Sequence, residues 1–243
     1  FRTSHYPYSE EIMQMADRQG FLIIDETAAN TLAFNAVNEK ILKEHQKQLQ
    51  ELYHRDKNHP SVIMWSISNE CETWEESSVP YFKVLAEDIK RLDDTRPCTM
   101  VITGEATEDK GAIQYFDILC LNTYPAWYGN CGRLDKLEDI FEKTLDGFYK
   151  KFNMPIILTE FGADAIAGMH SLPEEMWSEE YQKVTVEKIL NVLRRKDYIL
   201  GEQIWNFADF KTGQHTARPI LNYKGVFTRD RQPKMVAHFL KQM

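Results

Sequence analysis

The sequence predicts an α/β fold of the (β/α) barrel kind, and three observations carry that prediction. Apolar runs of strand length alternate with helical stripes from one end to the other, without a low-complexity linker or a fixed-period repeat. Polar and aromatic residues collect just past the strands, at Arg2 to His5, Asp25-Glu26, Asn69-Glu70, Asn122 to Tyr128, Glu160 and Trp205 to Asp209. A barrel builds its chemistry at those C-terminal strand ends. A doubly wound nucleotide binder would instead show a glycine-rich first turn, and the sequence has none.

Taken in order, Phe1 to Pro7 reads as the tail of a strand running into a loop. Ser9 caps a first helix, Glu10 and Glu11 suit the positive end of its dipole, and Ile12, Met15, Ala16 and Gln19 form its apolar stripe up to Gly20. Phe21 to Glu26 is a buried strand ending in two acids. A helix through Leu42, His45, Leu49 and Leu52 follows, then a strand from Val62 to Glu70 after His59-Pro60. Phe82, Leu85, Ile89 and Leu92 mark the next helix, Thr99 to Ile102 and Ile118 to Asn122 the next two strands, and Leu137, Phe141, Phe148 and Phe152 another helix. The strand Pro155 to Glu160 leads through an Ala- and Gly-rich loop to a helix through Val186, Ile189, Leu190 and Leu193. The strand Leu200 to Trp205 and a helix carrying Val236, Phe239 and Leu240 complete the series.

Composition narrows the function. A chain of 243 residues that is 43% hydrophobic can bury a large core. Its net charge of −8 argues against a general polyanion binder, so any anion must be recognised locally. Cys71, Cys98, Cys120 and Cys131 lack the paired short spacing of a metal site and the density of a disulfide scaffold, so they read as thiols. Thiols favour a reducing, cytoplasmic compartment. No apolar run reaches the roughly 20 residues of a membrane span.

Two stretches carry the chemistry: Trp65-Ser66-Ile67-Ser68-Asn69-Glu70 and Pro155-Ile156-Ile157-Leu158-Thr159-Glu160-Phe161-Gly162. In each, a residue that is costly to bury ends a buried strand, and paired carboxylates are what glycoside hydrolysis needs. Around them the sequence resembles the catalytic barrel of glycoside hydrolase family 2, specifically its β-glucuronidases. The resemblance runs through Arg2-Thr3-Ser4-His5-Tyr6-Pro7, Ile24-Asp25-Glu26-Thr27, His59 to Ser66, Ser68-Asn69-Glu70, Leu119 to Asn122, Thr159 to Gly162, Trp177 to Tyr181 and Trp205 to Phe210.

That resemblance implies a (β/α)8 TIM barrel over residues 1–243. With Asp25-Glu26 counted as the end of the third strand and Trp205 as the end of the eighth, it is expected to be N-terminally truncated, with strand 1 and most of strand 2 missing. It implies Glu70 as acid/base and Glu160 as nucleophile of a retaining hydrolase of β-D-glucuronides, an arrangement that needs the carboxyl groups about 5 to 5.5 Å apart. Arg2 would stand beside the nucleophile, His5 on the floor of the sugar pocket, and Asn69 on the 2-hydroxyl. Tyr124 would bond the nucleophile, and Tyr128 and Trp205 would wall the subsite, with Trp127 packing. Asn222 and Lys224, with Arg218, would bind the uronate carboxylate. Glu70 is expected near Trp65 or Trp74, and Asp25 and Glu26 are site neighbours for which a metal pair is the rival reading. Cys71 stands where the family has proline.

Neither cofactor nor metal is expected, and the partner is a small-molecule glucuronide or a glucuronic-acid-terminated oligosaccharide. Nucleic acid and membrane are not expected partners, and the whole protein is expected to be a homo-oligomer. The alternatives are a β-galacturonidase, differing at the C4 hydroxyl, and an inactive carbohydrate-binding fragment of the same barrel.

Overall fold

The computed structural model describes residues 1–104, 108–216 and 218–243. Its elements run α1 (Glu10–Gln19), β1 (Ile23–Glu26), α2 (Glu39–Asp56), β2 (Val62–Asn69), α3 (Ser78–Leu92), β3 (Cys98–Thr103), a 3-10 turn (Ile113–Tyr115), β4 (Ile118–Asn122) and α4 (Leu137–Phe152). They continue with β5 (Ile156–Glu160), α5 (Glu179–Leu193), β6 (Ile199–Glu202), β7 (Phe210–Lys211), β8 (Leu221–Asn222) and α6 (Met235–Lys241). The chain divides into two units, Phe1–Asn122 with Phe152–Ile157, and Thr123–Lys151 with Leu158–Met243.

In the first unit β1, β2, β3 and β4 lie side by side in sequence order and all parallel, with Asp25 opposite Trp65, Trp65 opposite Cys98 and Val101 opposite Cys120. Leu119 N donates to Pro155 O at 3.0 Å and brings the start of β5 alongside β4. Successive residues of a strand face opposite ways, so each strand serves two layers. Ile24, Met64, Val101, Cys120 and Ile157 form an apolar layer on one face. Two residues further along, Glu26 and Ser66 occupy the same face, and there the layer turns polar.

The opposite face receives the helices. Trp65 is fully buried, edge-on to Tyr53 of α2 at 5.8 Å, and its indole N–H donates to Asp93 at 2.9 Å. This corrects the expectation that Trp65 shields Glu70: alternation sends the indole to the helix side. A register shift between Ser66 and Asn69 interrupts the alternation at the end of β2, and Asn69 lies with the polar layer.

Helix α1 is closed by Gly20 in the left-handed conformation, as expected, but its buried residues are Met13 and Ala16. Ile12 and Met15 are 42% and 54% exposed, which corrects the predicted stripe. One pair three residues apart suffices for a helix of ten residues, and only Ala16 belongs to both patterns.

In the second unit Gln203 N donates to Leu158 O at 2.7 Å, setting β6 beside the end of β5. β6 ends at Glu202, short of the predicted Trp205, whose N instead donates to Phe161 O at 2.9 Å. β7 and β8 pair as a short antiparallel ribbon, with Phe210 opposite Asn222. Ser178 caps α5 by accepting from Tyr181 N at 3.1 Å. The loops are tied together by Lys234, a fully buried residue whose ammonium donates to Ala165 O, Tyr223 O and Asp209 at 2.7 to 2.8 Å. Burial pulls Lys234 below its ordinary range and pushes Asp209 above its own, so the neutral forms gain on the charged ones at both ends of the bond. Gly225 is required beside this knot, because a Cβ there would lie 2.2 Å from Asp209 N.

Candidate active site

In the first unit the polar layer at the strand ends forms one connected lattice. Glu26, fully buried, accepts both bonds of Arg2 Nη1 at 2.6 and 2.8 Å and the Ser66 hydroxyl at 2.7 Å, and His5 Nδ1 stands 3.5 Å away. Burial alone would raise this carboxyl, but Arg2, His5 and Ser66 outweigh it and hold it below the usual carboxylate range. Arg2 Nη1 also reaches Asn69 Oδ1 at 3.3 Å. Asn122 Nδ2 bonds both Asn69 Oδ1 at 3.0 Å and Glu70 Oε1 at 2.9 Å, and Asn69 Nδ2 donates to Asn30 at 3.0 Å. Arg2, His5, Asn69 and Glu70 are therefore brought together, through Glu26, Ser66 and Asn122.

Glu70 is half-buried and sits just past β2 with φ +50°. Left-handed backbone in a residue with a Cβ is uncommon and is maintained only where the surroundings hold it. Its successor Cys71 is buried, accepts from Leu32 N at 3.4 Å and contacts Asn69 O at 3.6 Å, so a thiol braces the turn where proline was expected. Burial pushes that thiol up to about 11, which keeps it protonated and unreactive.

Asp25 and Glu26 diverge, as neighbours in a strand must. Asp25 accepts from Thr3 Oγ1 at 3.0 Å on the face away from Glu26's lattice, and it is pushed up to about 8 by burial and then by Asp56. The metal-pair reading of these two acids therefore fails. Among the described residues no group of three His, Cys, Asp or Glu stands close enough to hold a metal.

In the second unit β5 delivers Glu160, 5% exposed, and Tyr124 donates its O–H to Glu160 Oε2 at 2.5 Å. Thr123 N donates to Glu160 O at 2.9 Å, so the segment that carries Tyr124 is anchored to the carboxylate's own backbone. Gly162 follows with φ +147°, and a Cβ there would lie 2.9 Å from Trp205 O; both facts require glycine. Trp205 stacks edge-on to Phe210 at 5.9 Å.

Tyr128 packs edge-on to Tyr124 at 5.2 Å, and its hydroxyl accepts from both Arg218 and Lys224, at 2.9 Å each. Lys224 is only 1% exposed; its ammonium lies 4.7 to 5.3 Å from the ring centroids of Tyr124, Trp127 and Tyr128, and it is ion-paired with the fully buried Asp164. Asn222 is equally buried; its Oδ1 accepts from Lys224 N at 3.1 Å, and its Nδ2 has no acceptor among the described residues. Trp127 packs as expected, edge-on to Trp177 at 5.1 Å, in a cluster with Ala163 and Tyr181. Tyr124, Tyr128, Glu160, Arg218, Asn222 and Lys224 thus share one neighbourhood. Sequence reasoning missed Asp164 and Lys234: a lone Asp past a strand and a lone Lys near the end of a chain give no signal beyond ordinary surface charge.

Comparison with known proteins gives the family. Residues 1–243 match the family model described as glycosyl hydrolases family 2, TIM barrel domain. The chain is 45% identical over 251 residues to a beta-glucuronidase of Paenibacillus borealis and 46% over 249 residues to one of Homo sapiens, covering 99% and 100% of this chain and 42% and 38% of theirs. Among solved structures, a beta-D-glucuronidase from Dictyoglomus thermophilum is 49% identical with TM-score 0.96, and the enzyme of Ruminococcus gnavus in complex with D-glucuronic acid is 43% identical with TM-score 0.92. The chain is covered fully by both and spans 43% and 42% of them. It therefore spans well under half the length of the relatives it matches. With a family model that covers it from Phe1 to Met243, the chain belongs to the TIM barrel domain of glycosyl hydrolase family 2.

Proposed function

We propose that this chain is the catalytic barrel of a retaining hydrolase of β-D-glucuronides, with Glu70 as acid/base and Glu160 as nucleophile. The observation that carries the substrate reading is the convergence of two cations, Arg218 and Lys224, on the Tyr128 hydroxyl at 2.9 Å each, with Asn222 Nδ2 as a neutral donor beside them. A uronate presents a charged, planar C6 carboxylate, and binding it out of water calls for such a mixed donor set. Support also comes from the Ruminococcus gnavus enzyme, solved with D-glucuronic acid.

The roles follow from hydrogen-bond bookkeeping. Asn122 spends both its amide hydrogens, one on Asn69 and one on Glu70 Oε1, so Oε1 is fixed as an acceptor and the acid's proton goes to Oε2. That proton is the one donated to the leaving oxygen. Asn69 keeps one Nδ2 hydrogen beyond its bond to Asn30, available to the sugar 2-hydroxyl. Tyr124 donates to Glu160 and favours its ionised form, the one able to attack the anomeric carbon. Glu26 fixes Arg2 and His5 as a rigid wall. The four free thiols support a reducing compartment.

The test is hydrolysis of matched p-nitrophenyl β-D-glucuronide, galacturonide and glucoside by the whole protein and by Lys224→Ala. The glucuronide is expected to be preferred and cleaved with retention. Lys224→Ala is expected to cost about 2 to 5 kcal/mol in transition-state binding of the glucuronide and to leave the glucoside unchanged. Preference for the galacturonide, or inversion at the anomeric carbon, overturns the assignment.

A further inference from the structure

Lys224 is committed before any substrate arrives. Its ammonium is paired with Asp164, donates to Tyr128 and sits among three aromatic rings, with 1% of the residue exposed. Asp164 is itself fully buried, and its other oxygen accepts from Tyr223 N at 2.7 Å. The neighbouring peptide repeats the link, because Ala165 N donates to Tyr223 O at 3.0 Å. The segment just past Glu160 is thus clamped to the segment Asn222 to Lys224, both by its backbone and by one carboxylate.

This geometry has two consequences. A lysine side chain has four rotatable bonds and no preferred fork, so burying its charge at a defined point requires a fixed counter-charge. Asp164 supplies it, and of the three ammonium hydrogens one goes to Asp164, one to Tyr128 and one has no acceptor among the described residues. The second is local: Asp164 answers the charge of Lys224, while Arg218 brings a second cation to the same Tyr128 hydroxyl, so an incoming carboxylate there meets two donors of positive charge.

We propose that Asp164 is a positioning residue for uronate recognition, holding Lys224 at one point in the aromatic box so that its remaining hydrogen meets the sugar carboxylate. The proposal rests on the uronate reading given above. Asp164 itself touches no substrate and acts through Lys224.

The experiment compares kcat/KM on p-nitrophenyl β-D-glucuronide and β-D-glucoside for the whole protein, Asp164→Asn, Asp164→Glu, Lys224→Ala and the double variant. Asp164→Asn keeps an acceptor for Tyr223 N and removes only the charge, so glucuronide turnover is expected to fall about 10- to 100-fold while the glucoside is unmoved. In the Lys224→Ala background the same substitution is expected to add nothing, because its route to the substrate is gone. Equal losses on both substrates, or losses that multiply in the double variant, overturn the proposal and leave Asp164 as a loop clamp. Should Asp164→Asn not fold, Asp164→Glu decides: it retains the charge and displaces it by one methylene, and a selective loss on the glucuronide is again expected. An unsubstituted protein that ignores the glucuronide overturns the uronate reading itself, a result distinct from either outcome for Asp164.

Discussion

Glu70 and Glu160 end strands of the same kind, yet their surroundings differ in chemistry. Glu70 is half-buried, in left-handed backbone, and touched by a neutral amide; Glu160 is 5% exposed and clasped by a phenol. The lattice around Glu70 is built from an arginine, a buried acid and two asparagines. Aromatic rings dominate around Glu160, with a lysine buried among them. A carboxyl group that must take up and give away a proton gains from a neutral partner and access to solvent. One that must attack carbon gains from a donor that stabilises its anion. The contrast suits the two roles proposed for these identical side chains, acid/base for Glu70 and nucleophile for Glu160.

The largest effect should come from removing the carboxylates themselves. Glu160→Ala is expected to lose several orders of magnitude in kcat on every glucuronide, whereas Glu70→Ala loses most on substrates with poor leaving groups. With azide and an activated glucuronide, Glu70→Ala should yield the β-glycosyl azide. The α-azide from that variant would show that the two offices are exchanged.

The next effect concerns the partners. Hydrogen bonds to charged groups contribute about 1.5 to 3 kcal/mol, so Tyr124→Phe is expected to lower kcat/KM roughly 10- to 100-fold. Asn122→Ala should cost less with activated leaving groups than with poor ones, since it frees Glu70 Oε1 but leaves the nucleophile intact. If both variants respond identically across a leaving-group series, the contrast between phenol and amide carries no mechanistic meaning.

Glu26→Gln sharpens the comparison on the side of stability. It would remove the carboxylate charge that takes two bonds from the buried Arg2, a change on the order of 3 to 5 kcal/mol, read as a lowered urea midpoint. An unchanged midpoint would falsify the view that this pair holds the lattice.

The smallest effect is a pH dependence confined to the first unit. Asp25, raised from 3.8 to about 8 first by burial and then by Asp56, holds a proton in the folded chain that the unfolded chain releases, so its contribution is lost as pH rises through that window. His45, lowered from 6.5 to about 4 by burial, stays neutral in the folded chain while the unfolded chain binds a proton, so its contribution is lost as pH falls through that range. The two oppose each other between pH 4 and 6.5, and from 6.5 to 8 only Asp25 of the pair still acts. Asp25→Asn should flatten the fall in stability across that upper interval, whose slope for a single group is at most about 1.4 kcal/mol per pH unit.

Much of this was legible in the sequence because strand and helix announce themselves by periodicity, and β4 falls on the residues expected, Ile118–Asn122. What stayed hidden depends on breaks in that periodicity. Asn69 joins the polar layer through a register shift that no pattern of apolar residues encodes. β7 and β8 are two residues each, too short to show an alternation. Glu26 was visible only as one of two adjacent acids; that alternation sends Asp25 to Thr3 and Glu26 to Arg2 becomes clear once the strand is placed. Lys224 was legible as a motif, but its engagement with Asp164 was not, because the partner lies 60 residues earlier in the chain.

The burial of Lys224 and Lys234 bears on how this protein can be handled as a material. Amine-reactive linkers couple at accessible ammonium groups, such as those of Lys43, Lys47 and Lys83, whose side chains are more than half exposed. The two lysines that hold the loops and the aromatic box are out of reach at 1% exposure each. Attachment to an activated bead through lysine should therefore spare the chemistry past β5, whereas a carboxyl-directed coupling would compete for the half-buried Glu70.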